Sequence, residues 1–163
     1  MNFQEKLDQT NLDMTLPQVK AFFLGAMLAD KPMSFAKALE EMLSEAPDAM
    51  SLKTDFENIW KDLEKNKLLE LGHLFPEVRD NRSFLAVAKD QLDYFLTALA
   101  LAGTNVETCK DETVADVLDE LEDFVFDLDD YLAEDDDSVE GDDLKDMLQD
   151  IWNEYLIAKG FKQ

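Results

Sequence analysis

Cysteine occurs once in this chain, at Cys109, so no internal disulfide can form. Histidine also occurs once, at His73, and a single imidazole cannot supply the paired-histidine ligand sets of common metal enzymes. Only five glycines are spread along the sequence, and none falls in a phosphate-cradling loop. Bases are scarce: 15 Lys and Arg stand against 38 Asp and Glu, a formal net charge of −23. That balance excludes direct binding to a nucleic-acid backbone or an anionic membrane, which would repel the chain, and favours basic partners. The longest apolar run, FLTALALAG, is far too short to span a bilayer, and MNFQEKLDQT lacks the basic-then-apolar order of a secretory signal. These absences predict a soluble, cytoplasmic protein. Strand-type alternation of apolar and polar residues is missing as well, so the predicted fold class is all-α.

The apolar content is nevertheless ample. Hydrophobic residues make up 46% of the 163 positions, with 11 Phe among them, enough for a sizeable core despite the charge. The length fits one acidic all-helical domain over residues 1–163, built as a bundle of about six helices. A second description is two packed helical halves, 1–75 and 83–163, hinged near residues 68–83. The charge is concentrated: Asp111 to Asp150 holds 19 acids and one base, Lys145, for a local charge of −18.

Helix signals recur along the chain. Residues 2–9 predict a short, frayed helix with Phe3 and Leu7 on one side. Thr15-Leu16-Pro17-Gln18 has the Thr, the Gln three residues on and the early Pro of a helix start, and the helix runs to about Asp30. Within it Ala21 and Gly25, four apart on one face, admit the close approach of another helix. Ser34 is the expected cap of FAKALEEMLSEA and Ser51 that of LKTDFENIWKDLEKN, where Phe56, Ile59, Trp60 and Leu63 form a stripe. Gly72 and Pro76 interrupt LLELGHLFPEVRDN, read as a helical turn and a connecting loop. Ser83 caps FLAVAKDQLDYFLTALALA, which Gly103 closes; being apolar nearly all round towards its end, it is the expected central helix. After TNVETCKDE comes the acidic helix, DETVADVLDELEDFVFDLDDYLAE. Leu118, Leu121, Val125, Leu128 and Leu132 form its stripe, widened by Val114, Phe124 and Tyr131. A charged turn, AEDDDSVEGDD, precedes a last helix with Leu148, Ile151, Trp152 and Tyr155 inward.

In this order of elements the chain resembles the YgfB/YecA-like family of small, acidic, all-helical bacterial proteins, over roughly residues 12–158. LPQVKAFFLGAML resembles the family's opening proline helix with its late glycine. LLELGHLFPEVRDN resembles its hydrophobic-then-Pro-Asp connection. SFLAVAKDQLDYFLTALALAG, with Tyr94-Phe95, resembles its central helix, and an acidic helix, a D/E-rich turn and a closing helix follow. Lys20-Ala21 stands where the family usually has a histidine-glycine pair, and the cysteine/histidine zinc tail of some longer relatives is missing. The resemblance implies an all-helical fold. It implies no zinc site and no common enzymatic activity.

Catalytic and metal motifs are weak on their own terms. If Gly141 is set at the sixth position of a calcium loop, Asp136, Ser138 and Glu140 take acceptable places, but Met147 falls where a bidentate Glu is required. Glu70 and His73 have the spacing of one di-iron ligand pair, with no second pair to complete it. Cys109 lies in a polar linker beside Lys110, without a triad context. No pair of carboxylates is singled out for glycoside hydrolysis. The sequence therefore supplies no catalytic residue, no metal ligand and no cofactor.

The acidic helix remains. From Asp116 to Glu134 its outer row spans about 27 Å at 1.5 Å per residue, a spacing of charge comparable to the one phosphate per ~3.4 Å of a DNA strand. Two readings fit: a solvated outer face that only keeps the molecule in solution, or a docking face for a basic protein surface, including one that normally binds nucleic acid. The residues expected to carry docking are Asp119, Glu120, Asp123, Asp127, Asp130 and Glu134, extended by Asp135, Asp136 and Asp137. Such binding would be salt-dependent. The competing class is a metal-dependent or carboxylate-based hydrolase with its site between the helical halves. A homodimer through the Ala21/Gly25 face is a third expectation.

Overall fold

A computed structural model describes residues 2–66, 81–133 and 140–158. Among them there are seven α-helices, one 3-10 turn and no strand, as the all-α reading predicts. The helices are α1 (Phe3–Asp8), α2 (Leu16–Leu28), α3 (Phe35–Met42), α4 (Lys53–Asn66), α5 (Asn81–Leu101), α6 (Glu112–Ala133) and α7 (Glu140–Ala158). The Gly72/Pro76 connection, most of the hinge near 68–83, Glu70 with His73 and the first four residues of the calcium-like loop lie outside the described residues.

Helix starts follow local chemistry. Thr15 Oγ1 accepts from the Gln18 amide at 3.4 Å and Gln18 Oε1 accepts from the Thr15 amide at 3.0 Å, a complete capping box. Ser34 Oγ caps α3 by accepting from the Lys37 amide at 3.2 Å. Ser51 does not cap α4. A 3-10 turn, Pro47–Leu52, runs straight into that helix, and the Ser51 hydroxyl donates to the Asp48 carbonyl at 3.1 Å. Pro47 sits in the first turn of this segment, where its fixed φ suits helical backbone and its missing N–H is no loss. α5 likewise begins at Asn81, two residues before the expected cap Ser83. α7 begins at Glu140, four residues ahead of LKDM.

The short N-terminal helix is held rather than frayed. Leu7 is fully buried, Phe3 meets Phe56 edge-on at 5.4 Å, Lys6 pairs with Asp55 at 3.4 Å, and Gln4 Oε1 accepts from the Leu16 amide at 2.8 Å.

α2 is the structural centre. It packs most extensively against α5, and its two sides feed two cores. Ala21, Leu24 and Leu28 join Leu92, Phe95 and Leu99 of α5 and the apolar sides of α6 and α7. Val19, Phe22, Phe23 and Ala26 join Leu7, Leu39, Phe56, Trp60 and Leu63. Phe23 lies at the middle of the second core, edge-on to Phe35, Phe56 and Trp60. α5 shares the central place, as the sequence expectation has it: it packs against α2, α6 and α7 and feeds both cores, although its end opens to solvent at Leu101. The close approach expected at Ala21/Gly25 is made by α5 itself. A Cβ on Gly25 would stand 2.4 Å from the Phe95 carbonyl oxygen. That face is consumed within the chain, so the homodimer reading loses the surface assigned to it.

The α5–α6 connection is ordered by hydrogen bonds. Gly103, at φ +86°, ends α5 with the Thr104 amide donating to Leu99 O at 2.8 Å and its own amide to Ala100 O at 2.9 Å. Thr104 Oγ1 then accepts from the Asp30 amide (2.9 Å), and the Lys110 amide donates to Asp30 Oδ2 (3.0 Å), tying the connection to the end of α2. Asp111 Oδ1 accepts from the Thr113 and Val114 amides at 2.9 and 3.3 Å and so caps α6.

Candidate functional site

α6 is anchored by what it buries. Val114, Val117, Leu118, Leu121, Phe124, Val125, Leu128 and Tyr131 all face the core. Burial of each such side chain contributes about 1.5–3 kcal/mol. Val117 belongs to this stripe although the sequence reading left it out, and Leu132 is only half-buried. α7 closes over the stripe, with Trp152 and Tyr155 stacked 5.7 Å apart and both edge-on to Phe95 of α5. Burial first, with the nearby Asp30 carboxylate adding to it, pushes the Tyr155 hydroxyl well above the usual tyrosine range. The rotation of α6 about its axis is therefore fixed.

That rotation sends the acids outward. Asp119, Glu120, Asp123, Asp127 and Asp130 are all exposed, as are Asp116, Glu122 and Asp129. At 3.6 residues per turn, Asp119, Asp123 and Asp130 fall within about 40° of one another, and the stretch from Asp116 to Asp130 is about 21 Å long. Glu134, Asp135, Asp136 and Asp137 continue the sequence but lie outside the described residues. Among the described residues, only Asp129 of this face has a cation partner: Lys89 of α5 reaches it at 3.0 Å and Asp93 at 2.7 Å. The Lys89 side chain is 16% exposed. Burial lowers its pKa, yet the hydrogen bonds and charges of Asp93 and Asp129 outweigh that and hold it above the ordinary lysine value.

The face is unfavourable to the helix that carries it. Asp116/Glu120, Asp119/Asp123 and Asp123/Asp127 are like-charged i,i+4 pairs, each costing about 0.2–0.5 kcal/mol. Asp127, Asp129 and Asp130 stand near the negative end of the helix dipole, with no base in the last turn. The effect is visible on Glu122, whose carboxyl is raised above the usual glutamate range by partial burial and by the charges of Asp119 and Asp123. Against the burial terms above, these costs are small, so the row persists.

One residue breaks the charge. Phe126 is 68% exposed, on the acidic side of α6 and not in its apolar stripe. Position 126 lies well off the Leu121/Leu128 line, and that angular offset is the signal by which the sequence could have shown it. Glu122 and Asp129 were missed for the opposite reason, being at the edges of the stripe.

Elsewhere, clefts among the described residues include two of note. One, of about 530 Å³, lies among α1, α2 and α4, with Phe3, Leu16 and Ile59 beside Lys20, Asp55 and Asp62. The other, of about 440 Å³, lies where the 10–15 connection meets α2 and α5, lined by Asp8, Asp13, Asp90, Gln18 and Tyr94. Burial and the charges of Asp13, Asp90 and Asp93 raise the Tyr94 hydroxyl. Among the described residues no three His, Cys, Asp or Glu side chains come together as a metal-binding group. Cys109 is half-buried, its thiol donating to the Asp111 carbonyl at 3.6 Å. No described helix is long and apolar enough to cross a membrane.

Comparison with known proteins does not add a relative. No family model, curated protein or solved structure matches the chain. The functional reading rests on the chemistry of the surface.

Proposed function

We propose that the protein is a non-enzymatic interaction or regulatory protein of the cytoplasm that docks a basic partner on the outer face of α6. The partner is a protein surface of the kind that otherwise binds nucleic acid, and the acidic row stands in for phosphates. One observation carries this reading: Asp119, Glu120, Asp123, Asp127 and Asp130 are exposed together on a helix whose orientation is locked by its buried side. A rigid row of charge presents its potential without the entropic loss of ordering flexible side chains on a mobile segment. The sequence resemblance to the YgfB/YecA-like family accords with it, since that resemblance implies no shared enzymatic activity.

The test is capture from a cell lysate with immobilised wild-type protein beside a variant carrying D119N, E120Q, D123N, D127N and D130N, both eluted on a salt gradient. A discrete basic protein should stay on the wild type into the gradient and be absent from the variant. Identical profiles from the two would mean that the face serves solubility alone.

A further inference from the structure

Phe126 is out of place in a face that serves only to keep the molecule in solution. Its ring is 68% exposed, whereas the other exposed large apolar side chains among the described residues, Met50, Leu101, Met147 and Ile157, lie between 44% and 51%. On the helix its neighbours one turn away are Glu122 and Asp123 before it and Asp129 and Asp130 after it. Lys89 holds Asp129, which leaves Glu122, Asp123 and Asp130 around the ring without a cation partner among the described residues. An exposed aromatic ring gains by being covered, and the carboxylates restrict what can cover it. A second copy of the chain would set like charges against each other, and an anionic lipid surface would be repelled.

We infer that Phe126 is the anchor of the docking face and that it accepts an arginine side chain from a basic protein segment, an inference that rests on the docking reading of α6. A guanidinium is planar, weakly hydrated and rich in donors. It stacks flat on an aromatic ring while its edge N–H groups donate to carboxylates beside that ring. Glu122, Asp123 and Asp130 sit one helical turn from Phe126, so their carboxylates flank a group stacked there. A lysine ammonium, compact and strongly hydrated, finds the same charges but gains less from the ring. The face therefore discriminates arginine from lysine, which an acidic row by itself does not.

The experiment uses the full chain and two labelled, alanine-rich peptides of identical length, one with arginine and one with lysine at every charged position, with binding followed by fluorescence anisotropy at low salt. Wild type should bind the arginine peptide about two- to fivefold more tightly than the lysine peptide. Phe126→Ala should bring that ratio to about one, weakening the arginine peptide more than the lysine peptide, and Phe126→Trp should restore or increase it. Because the ring is exposed, the melting temperature of Phe126→Ala should match wild type, which separates loss of the anchor from loss of fold. Equal affinity of wild type for both peptides, or a preference that survives Phe126→Ala, overturns the inference. If equal binding is still lost in the Asp→Asn variant, only the arginine anchor fails and the docking face stands. If neither peptide binds wild type, both readings fail.

Discussion

Glu122 stands at the shoulder of the acidic face, partly withdrawn from water and one turn after Asp119. Its raised pKa means that the folded chain binds this proton more tightly than the unfolded chain. Stability from this group therefore falls as pH rises from the ordinary glutamate value through the raised one, and the full cost is present at neutral pH. Glu122→Gln should stabilise the fold at pH 7 by a few tenths of a kcal/mol, roughly one like-charge helical pair. The gain should shrink as pH falls towards about 4, below the ordinary glutamate value, as Glu122 takes up its proton. Urea denaturation midpoints at the two pH values check this, and a gain independent of pH would assign it to packing and not to charge. The same scale shows what a polarity pattern can convey. The exposure of Asp119, Glu120, Asp123, Asp127 and Asp130 follows from the position of the Leu118–Leu128 stripe, because the two sides of one helix determine each other. Phe126 did not follow, since an apolar letter in an amphipathic helix is assigned inward until its angle is worked out.

At the level of whole elements, the decisive contact is α2 against α5. Gly25 is kept where an alanine would be about 1 kcal/mol better for an isolated helix. In this fold a Cβ there would meet the Phe95 carbonyl oxygen at 2.4 Å and Ala98 Cβ at 2.9 Å, and backbone cannot step aside as a flexible side chain can. Gly25→Ala should therefore destabilise the protein, by about 1–3 kcal/mol or more, as overpacking of a close interface does. The sign separates the two effects: a denaturation midpoint raised by the substitution would show that the helices are not in tight contact. A small-residue pair was legible in the sequence as a site of helix approach, but its partner was not, because periodicity carries no information on which helix lies opposite. Capping was legible where it is local, as at Thr15 and Ser34. It failed at Ser51, where Pro47 had already begun a helical turn upstream, and the folding of the 103–111 connection onto Asp30 depends on a contact across the fold that no local pattern encodes.

For the molecule as a whole, a net charge of −23, of which −18 falls between Asp111 and Asp150, sets a self-repulsion that salt must modulate. The distance over which it acts can be compared with the face itself. At about 0.01 M salt the Debye length is roughly 30 Å, longer than the ~21 Å from Asp116 to Asp130, so every carboxylate on α6 repels every other. At about 0.1 M it is roughly 10 Å, and only neighbours one turn away still interact. Thermal stability of the wild type should therefore rise with salt, and most of the rise should fall between those two concentrations. Neutralising Asp119, Asp123, Asp127 and Asp130 to Asn should raise the melting temperature at low salt by a few degrees, at about 2–4 °C per kcal/mol for a domain of this size. It should also flatten the salt dependence. Melting curves of both proteins across the salt series distinguish local from global charge. Parallel salt dependences would spread the repulsion over the whole surface and remove the reason to regard α6 as a face maintained against its own electrostatics. Converging curves would localise the strain to this helix, and a basic partner that neutralises the same carboxylates would then stabilise the fold as salt does, but at one place.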